Sequence, residues 1–403
     1  MKRPTVLILG GGFAGLACAN ALDRRRFSVR LVDARRAFEF LPNIHELVSG
    51  VKRPAALRID LRKALTASGH RFVHAEVRAI DAEARAVELE SGRIIDADYL
   101  VIALGAIDAD YGVSGVAAHA LGFKSVSECK TIHERLENLA NTGTGRVAII
   151  GGGLEGIEAL GEILRRYRGR FRTISLIEAR EQLLPGTPGS VDEHLMRHCE
   201  RFNVEVITGD AVARITPKTV VLSSRRRLRS DVTIWTGGPA PTPLLYRSGL
   251  APANAWAPVS TALQHRDYDR VFVAGDAAAF PTPLRKQAYH ALDMGVCVAA
   301  NIERCEGRRR LRAFKASPKP TLVSFGDVDT LLLSDRLRLA GPGLASGKEA
   351  VYAAVMAGLD RRGLKERSAA VLERGTNAAR RLLWPALREP KALLRLGTVR
   401  RLP

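Results

Sequence analysis

An α/β fold with two Rossmann-like dinucleotide-binding domains is predicted by three features of this 403-residue sequence. A glycine-rich turn occurs twice, an acid closes the strand after each turn, and apolar β-branched runs alternate with helical patterns. The segments "VLILGGGFAGL" (6–16) and "VAIIGGGLEGIEALGEI" (147–163) share one grammar: a buried strand, three glycines, and then helix formers. Gly10, Gly12 and Gly15 fill G-x-G-x-x-G in the first copy, and Gly151, Gly153 and Gly156 fill it in the second. The first glycine permits a tight turn, the second lets backbone approach a pyrophosphate, and the third lets the helix pack on its strand. The helix that follows offers unpaired N–H groups and a partial positive charge to phosphate.

Glycine turns are common, so the strand that follows carries the weight. "FSVRLVD" (27–33) ends in Asp33 and "TISLIE" (173–178) ends in Glu178, each placed to accept hydrogen bonds from a ribose diol. A lone acid at a strand end can equally cap a helix, but two complete units in one chain argue against coincidence. A carboxylate at Glu178 repels a 2′-phosphate, which favours NADH over NADPH, and Arg180 opposes this in part.

Length implies two or three domains, and an apolar fraction of 46% is ordinary for a globular core. The formal net charge of +20 is not ordinary and calls for an anionic neighbour. No uninterrupted apolar run reaches membrane-spanning length, and the N-terminus reads as a first strand rather than a signal peptide. Five scattered cysteines, with no C-x-x-C pair, fit reduced thiols; neither a disulfide framework nor a metal site is expected.

A third signature follows. "VFVAGDAAAF" (271–280) is a buried strand ending in Gly275-Asp276, while "DYLVIALGA" (98–106) and "VTIWTGGPAP" (232–241) close on Gly105 and Gly237. With these the chain resembles the pyridine nucleotide–disulfide reductase superfamily of flavoproteins. The resemblance implies FAD on the first turn, NAD(P)H on the second, and Gly275 with Asp276 against the ribityl and pyrophosphate part of the flavin.

Disulfide reductases carry a redox cysteine pair soon after the first unit, where this chain has "FEFLPNIHELVSG" (38–50) and no cysteine. That stretch, "LRIDLRKAL" (57–65), "VTIWTGG" and "KQAYHALDMGVCVAANI" (286–302) look like the type II NADH:quinone dehydrogenases, over about residues 4–345. Two departures stand out: Leu104 replaces a threonine, and Tyr289 with Asp293 and Met294 replaces a glutamine-bearing segment. "KQAYHA" is closer to the apoptosis-inducing-factor-like quinone reductases. The resemblance implies hydride transfer from NADH to FAD and two electrons onward to a quinone, without proton pumping. It places Glu158 beside nicotinamide and flavin; Lys286, Tyr289 and His290, ahead of a helix just past the Gly-Asp motif, are expected near the acceptor, where Lys or His supplies protons. Competing readings are a ferredoxin or rubredoxin reductase, a sulfide:quinone oxidoreductase (which needs a cysteine absent after Cys305), and a flavin-binding protein whose arginine clusters hold nucleic acid. No aromatic-interleaved platform accompanies those clusters, so no specific nucleic acid is expected.

The implied organisation is an FAD domain at 1–112 and 240–315, an NADH domain inserted at 113–239, and a C-terminal region at 316–403. There "PTLVSFGDVDTLLLSDRLRLAGP" (320–342) alternates like a hairpin, expected to line the flavin. Residues 361–403 carry 12 Lys/Arg against three Glu, or +9, with Leu382, Leu383, Trp384 and Leu387 beside Arg380, Arg381 and Arg388. This suits a basic segment lying on an anionic membrane surface. The expected setting is the cytoplasm, peripheral to the cytoplasmic membrane, with a second copy of the chain as a further partner.

Overall fold

The computed structural model describes residues 3–361 and 398–403. The chain opens with β1 (Thr5–Leu9), α1 (Phe13–Ala21) and β2 (Ser28–Asp33), followed by the short helix α2 (Glu46–Ser49). Strands β3 (Arg71–His74) and β4 (Tyr99–Ile102) come next. The second glycine turn repeats the opening with β5 (Arg146–Ile150), α3 (Leu154–Tyr167) and β6 (Thr173–Ile177). Helix α4 (Gly189–Arg201), β7 (Glu205–Ile207) and β8 (Val232–Trp235) complete that unit. Strand β9 (Val271–Val273) and helix α5 (Ala288–Glu306) follow. Strands β10 (Thr321–Phe325), β11 (Asp329–Leu333) and β12 (Arg338–Ala340), helix α6 (Leu344–Leu359) and β13 (Arg400–Arg401) end the described chain.

Two parallel sheets organise these elements. The first runs β9-β4-β1-β2-β3 and joins strands from either side of residues 113–239; the second runs β7-β6-β5-β8. Their registers correspond: Leu9 pairs with Val32, and Ile150 with Ile177. Both faces are covered, so β1 and β5 are continuous apolar runs rather than alternating ones; one face of the second sheet packs through Ala148, Ile150 and Ile177 on Val212, Ile215, Val220 and Leu228 of an antiparallel three-stranded sheet. Helix α5 crosses α1 at contact distance because Gly295 has no side chain; a Cβ there would lie 2.2 Å from the Ala14 carbonyl oxygen.

The expected C-terminal hairpin is an antiparallel sheet, β10-β11-β12-β13. It rests on α3, where Gly161 and Gly326 meet backbone to backbone; a Cβ on Gly326 would sit 2.0 Å from the Gly161 oxygen. The apolar run 350–359 belongs to α6 and is folded into the core through Tyr352, Met356 and Leu359. Phe38 and Phe40 of the cysteine-free stretch join it in an aromatic chain, Phe38–Phe13–Phe40–Tyr352, with centroids 4.9, 5.5 and 5.0 Å apart. Among the described residues no helix is long and apolar enough to cross a membrane. The Trp384 segment lies outside the described residues.

Candidate active site

The two glycine turns make the same hydrogen bonds. Gly10 N–H donates to Val32 O at 2.8 Å and Gly151 N–H to Ile177 O at 2.7 Å. Gly11 N–H reaches Asp33 Oδ2 and Gly152 N–H reaches Glu178 Oε2, both at 2.6 Å. The other oxygen of each acid accepts from the residue two further on, Arg35 at 2.7 Å and Arg180 at 2.9 Å. Each carboxylate is thereby fixed at its strand end with lone pairs to spare for a ribose diol.

The three glycines divide the work as their spacing implies. Gly10 and Gly151 have φ of +99° and +107°, which side chains rarely tolerate. A Cβ on Gly15 or Gly156 would lie 1.9 or 1.8 Å from the oxygen of Gly10 or Gly151. At Gly12 and Gly153 a Cβ would meet nothing within 4 Å, so the backbone borders open space there. Neither helix has a side-chain cap, and its first N–H groups remain for phosphate. Both turns therefore fit a dinucleotide pyrophosphate.

Gly275 turns the chain at φ +72° after β9. Burial pushes the Asp276 carboxyl upward, and Lys286 partly offsets it. Lys286 donates from Nζ to the backbone oxygens of Asp276 and Ala278, at 2.8 Å each, with its ammonium 4.2 Å from the Trp256 ring centroid. Lys286 thus braces the Gly-Asp turn. A cavity of about 300 Å³ opens beside it, bordered by Trp256, Asp276, Lys286, His290 and Met294. His290 is buried, with Nδ1 and Nε2 each 3.3 Å from a backbone carbonyl, of Arg285 and Ser317. Tyr289 stands in the first turn of α5, its hydroxyl pushed upward by burial and then by the charge of Glu158.

Gly105 follows β4 with φ +69° and open space around it. Gly237 packs at the crossing between units, where a Cβ would sit 2.6 Å from the Ala109 oxygen that accepts from Trp235 Nε1.

Glu158 is no surface acid. It is buried on α3, where Oε1 accepts from Lys348 Nζ and, at 3.1 Å, from the Ser324 N–H. Oε2 lies 3.3 Å from His45 Nδ1, and His45 Nε2 is 3.4 Å from Lys348 Nζ. Burial raises the Glu158 pKa, and Lys348 opposes the rise. Beyond this triad, Lys52 joins Glu46 at 3.3 Å to Glu349 at 2.6 Å, with Nζ 3.9 Å from the Tyr352 ring centroid. Nothing in the sequence marks His45 and Lys348 as partners of Glu158, since they come from segments far from either glycine turn. The one available signal was His45-Glu46 inside the stretch where a cysteine pair was sought.

Two parallel-sheet units, each with an uncapped glycine turn and a fixed acid, define a protein built to hold two dinucleotides. The chain belongs to the pyridine nucleotide-disulphide oxidoreductase family, which it matches over residues 4–295. It is 25% identical over 358 residues to the type II NADH:quinone oxidoreductase of Staphylococcus aureus, covering 81% of this chain and 89% of the relative. The structure of NDH2 from Plasmodium falciparum in complex with NADH matches with a TM-score of 0.83 at 16% identity, covering 94% of this chain and 98% of that one. The sulfide:quinone oxidoreductase of Aquifex aeolicus matches with a TM-score of 0.77 at 21% identity, covering 99% and 97%.

Proposed function

We propose that this chain is an FAD-dependent NADH:quinone oxidoreductase, with NADH as hydride donor and a quinone as acceptor. The observation that carries the reading is the duplicated cradle, Gly11 with Asp33 and Gly152 with Glu178, which gives each of two dinucleotides its own site. When bound, the nicotinamide and flavin rings supply the hydride chemistry. The residues assigned to FAD are Gly10, Gly12, Gly15, Asp33, Gly105, Gly275 and Asp276. Those assigned to NADH are Gly151, Gly153, Gly156, Glu178 and Gly237. The carboxylate at Glu178 disfavours a 2′-phosphate.

The chain's own residues then orient and buffer charge. Glu158 holds a proton site at Oε2, and Lys348 and His45 set how readily it fills. Lys286 steadies the Gly-Asp turn, while Tyr289 and His290 stand at the entry of α5, on the acceptor side. All five cysteines are free, and burial pushes the Cys18 and Cys199 thiols to about 12, which supports chemistry without a disulfide. The domain division read from the sequence, with the second unit inserted at 113–239, is retained in this proposal. A charge of +20 supports peripheral attachment to an anionic cytoplasmic membrane surface, where a hydrophobic quinone resides.

The test is purification followed by a flavin spectrum and NADH oxidation with quinone, ferredoxin, sulfide or oxygen present. Yellow protein with NADH oxidation driven by quinone is expected. Colourless protein indifferent to NADH would overturn the reading, and turnover with ferredoxin or sulfide alone would move the acceptor.

A further inference from the structure

A cluster of different chemistry stands where the second unit meets the C-terminal sheet. His194 and His198 lie one turn apart on α4, against Asp329 at the start of β11. Asp329 Oδ2 is 2.9 Å from His194 Nε2 and 3.4 Å from His198 Nε2, and all three atoms lie within 4.8 Å of one another. The two imidazoles are perpendicular, with centroids 4.8 Å apart. His194 and Asp329 are buried, and His198 Nε2 is a buried atom without a well-formed hydrogen bond.

We propose that His194, His198 and Asp329 form a site for one divalent transition-metal ion of the zinc type, tying α4 to β11. Two imidazole nitrogens and one carboxylate oxygen suit zinc, whose bonds to N and O are about 2.0–2.2 Å, whereas magnesium and calcium prefer all-oxygen shells. Donor atoms around a tetrahedral ion of that size stand ~3.4 Å apart. One separation at Asp329 matches that value and the other, 2.9 Å, is shorter, so small side-chain shifts close the site and leave a fourth position for water.

Arg400 on β13 tunes the site. Its Nη2 lies 3.3 Å from His194 Nδ1 and 3.7 Å from Asp329 Oδ2, and its side chain is 62% exposed. A guanidinium only donates, so at that contact His194 Nδ1 is the acceptor, while Nε2 faces Asp329. A divalent cation held by Nε2 and Asp329 repels the guanidinium beside them, so Arg400 swings outward when the site fills. Arginine and metal thus compete.

The test is zinc counted per chain after chelator dialysis, zinc loading and desalting of the purified full-length flavoprotein, beside a thermal-shift titration. Wild type is expected to hold one more zinc than His198→Gln, whose nitrogen has no well-formed hydrogen bond to lose, and to gain thermal midpoint with zinc but not magnesium. Arg400→Ala is expected to bind several-fold more tightly. Equal zinc in wild type and His198→Gln would overturn the proposal. If His198→Gln fails to fold, wild type alone decides: absence of a zinc-dependent midpoint rise, or an equal rise with magnesium, overturns it.

Discussion

Lys348 donates to Glu158 across 190 residues of sequence, and both groups are buried. Their pairing joins the helix of the second glycine turn to the last long helix of the described chain. His45 touches both, so three distant segments converge on one carboxylate.

Removing one partner of such a pair leaves the other charge buried, at a cost of about 3–5 kcal/mol, while removing both costs less. Lys348→Met is therefore expected to destabilise the protein more than Lys348→Met combined with Glu158→Gln. Denaturant unfolding of the two singles and the double closes the cycle, and strict additivity would show that the pair is uncoupled. In stopped flow, Glu158→Gln is expected to slow flavin bleaching by NADH at least ~10-fold. An unchanged rate would remove Glu158 from the reaction site.

Gly153→Ala and Gly156→Ala separate binding from folding. A methyl at Gly153 meets only open space and should leave the thermal midpoint within a degree or two while raising the KM for NADH. A methyl at Gly156 would sit 1.8 Å from the Gly151 oxygen and should cost soluble, folded protein. Equal midpoints for the two variants would contradict the close packing.

Glu178→Ala removes the carboxylate that accepts from Gly152 and Arg180. The ratio of kcat/KM for NADH over NADPH is expected to fall at least ~10-fold, since repulsion of the 2′-phosphate goes with the charge. A preserved ratio would assign specificity elsewhere.

Asp108, at the crossing between the units, is pushed up to about 6 by burial, with Lys124 opposing and Glu128 and Glu155 adding. The folded form therefore keeps this proton up to pH about 6, whereas the unfolded chain releases it near 4. The stabilising contribution is present at low pH and is lost as pH rises from about 4 through about 6. Asp108→Asn stays neutral, so its thermal midpoint is expected to exceed that of wild type above pH 6 and to converge below pH 4. A constant difference across that range would show that the group is not raised.

Much of the frame was legible because it is local. A strand, a glycine turn, a helix and a strand-end acid are contiguous in sequence, and the steric demands of Gly10, Gly15 and their counterparts act within a few residues. The resemblance points to Glu158 but not to its surroundings, since His45 and Lys348 carry no mark that ties them to it. The sequence points to Lys286 and His290 as proton donors near the acceptor. The fold shows Lys286 holding two backbone oxygens of the Gly-Asp turn, and His290 lodged between two carbonyls.

The sequence by itself determined two dinucleotide cradles and their acids, because short-range backbone geometry and ribose chemistry dictate those residues at those spacings. Only the tertiary structure decided which distant charges share a buried space: Lys348 with Glu158, and Asp329 with His194 and His198. Burial makes an unpaired charge costly, so partners are chosen by the packing of α3, α4, α6 and the C-terminal sheet, and no spacing along the chain records that choice.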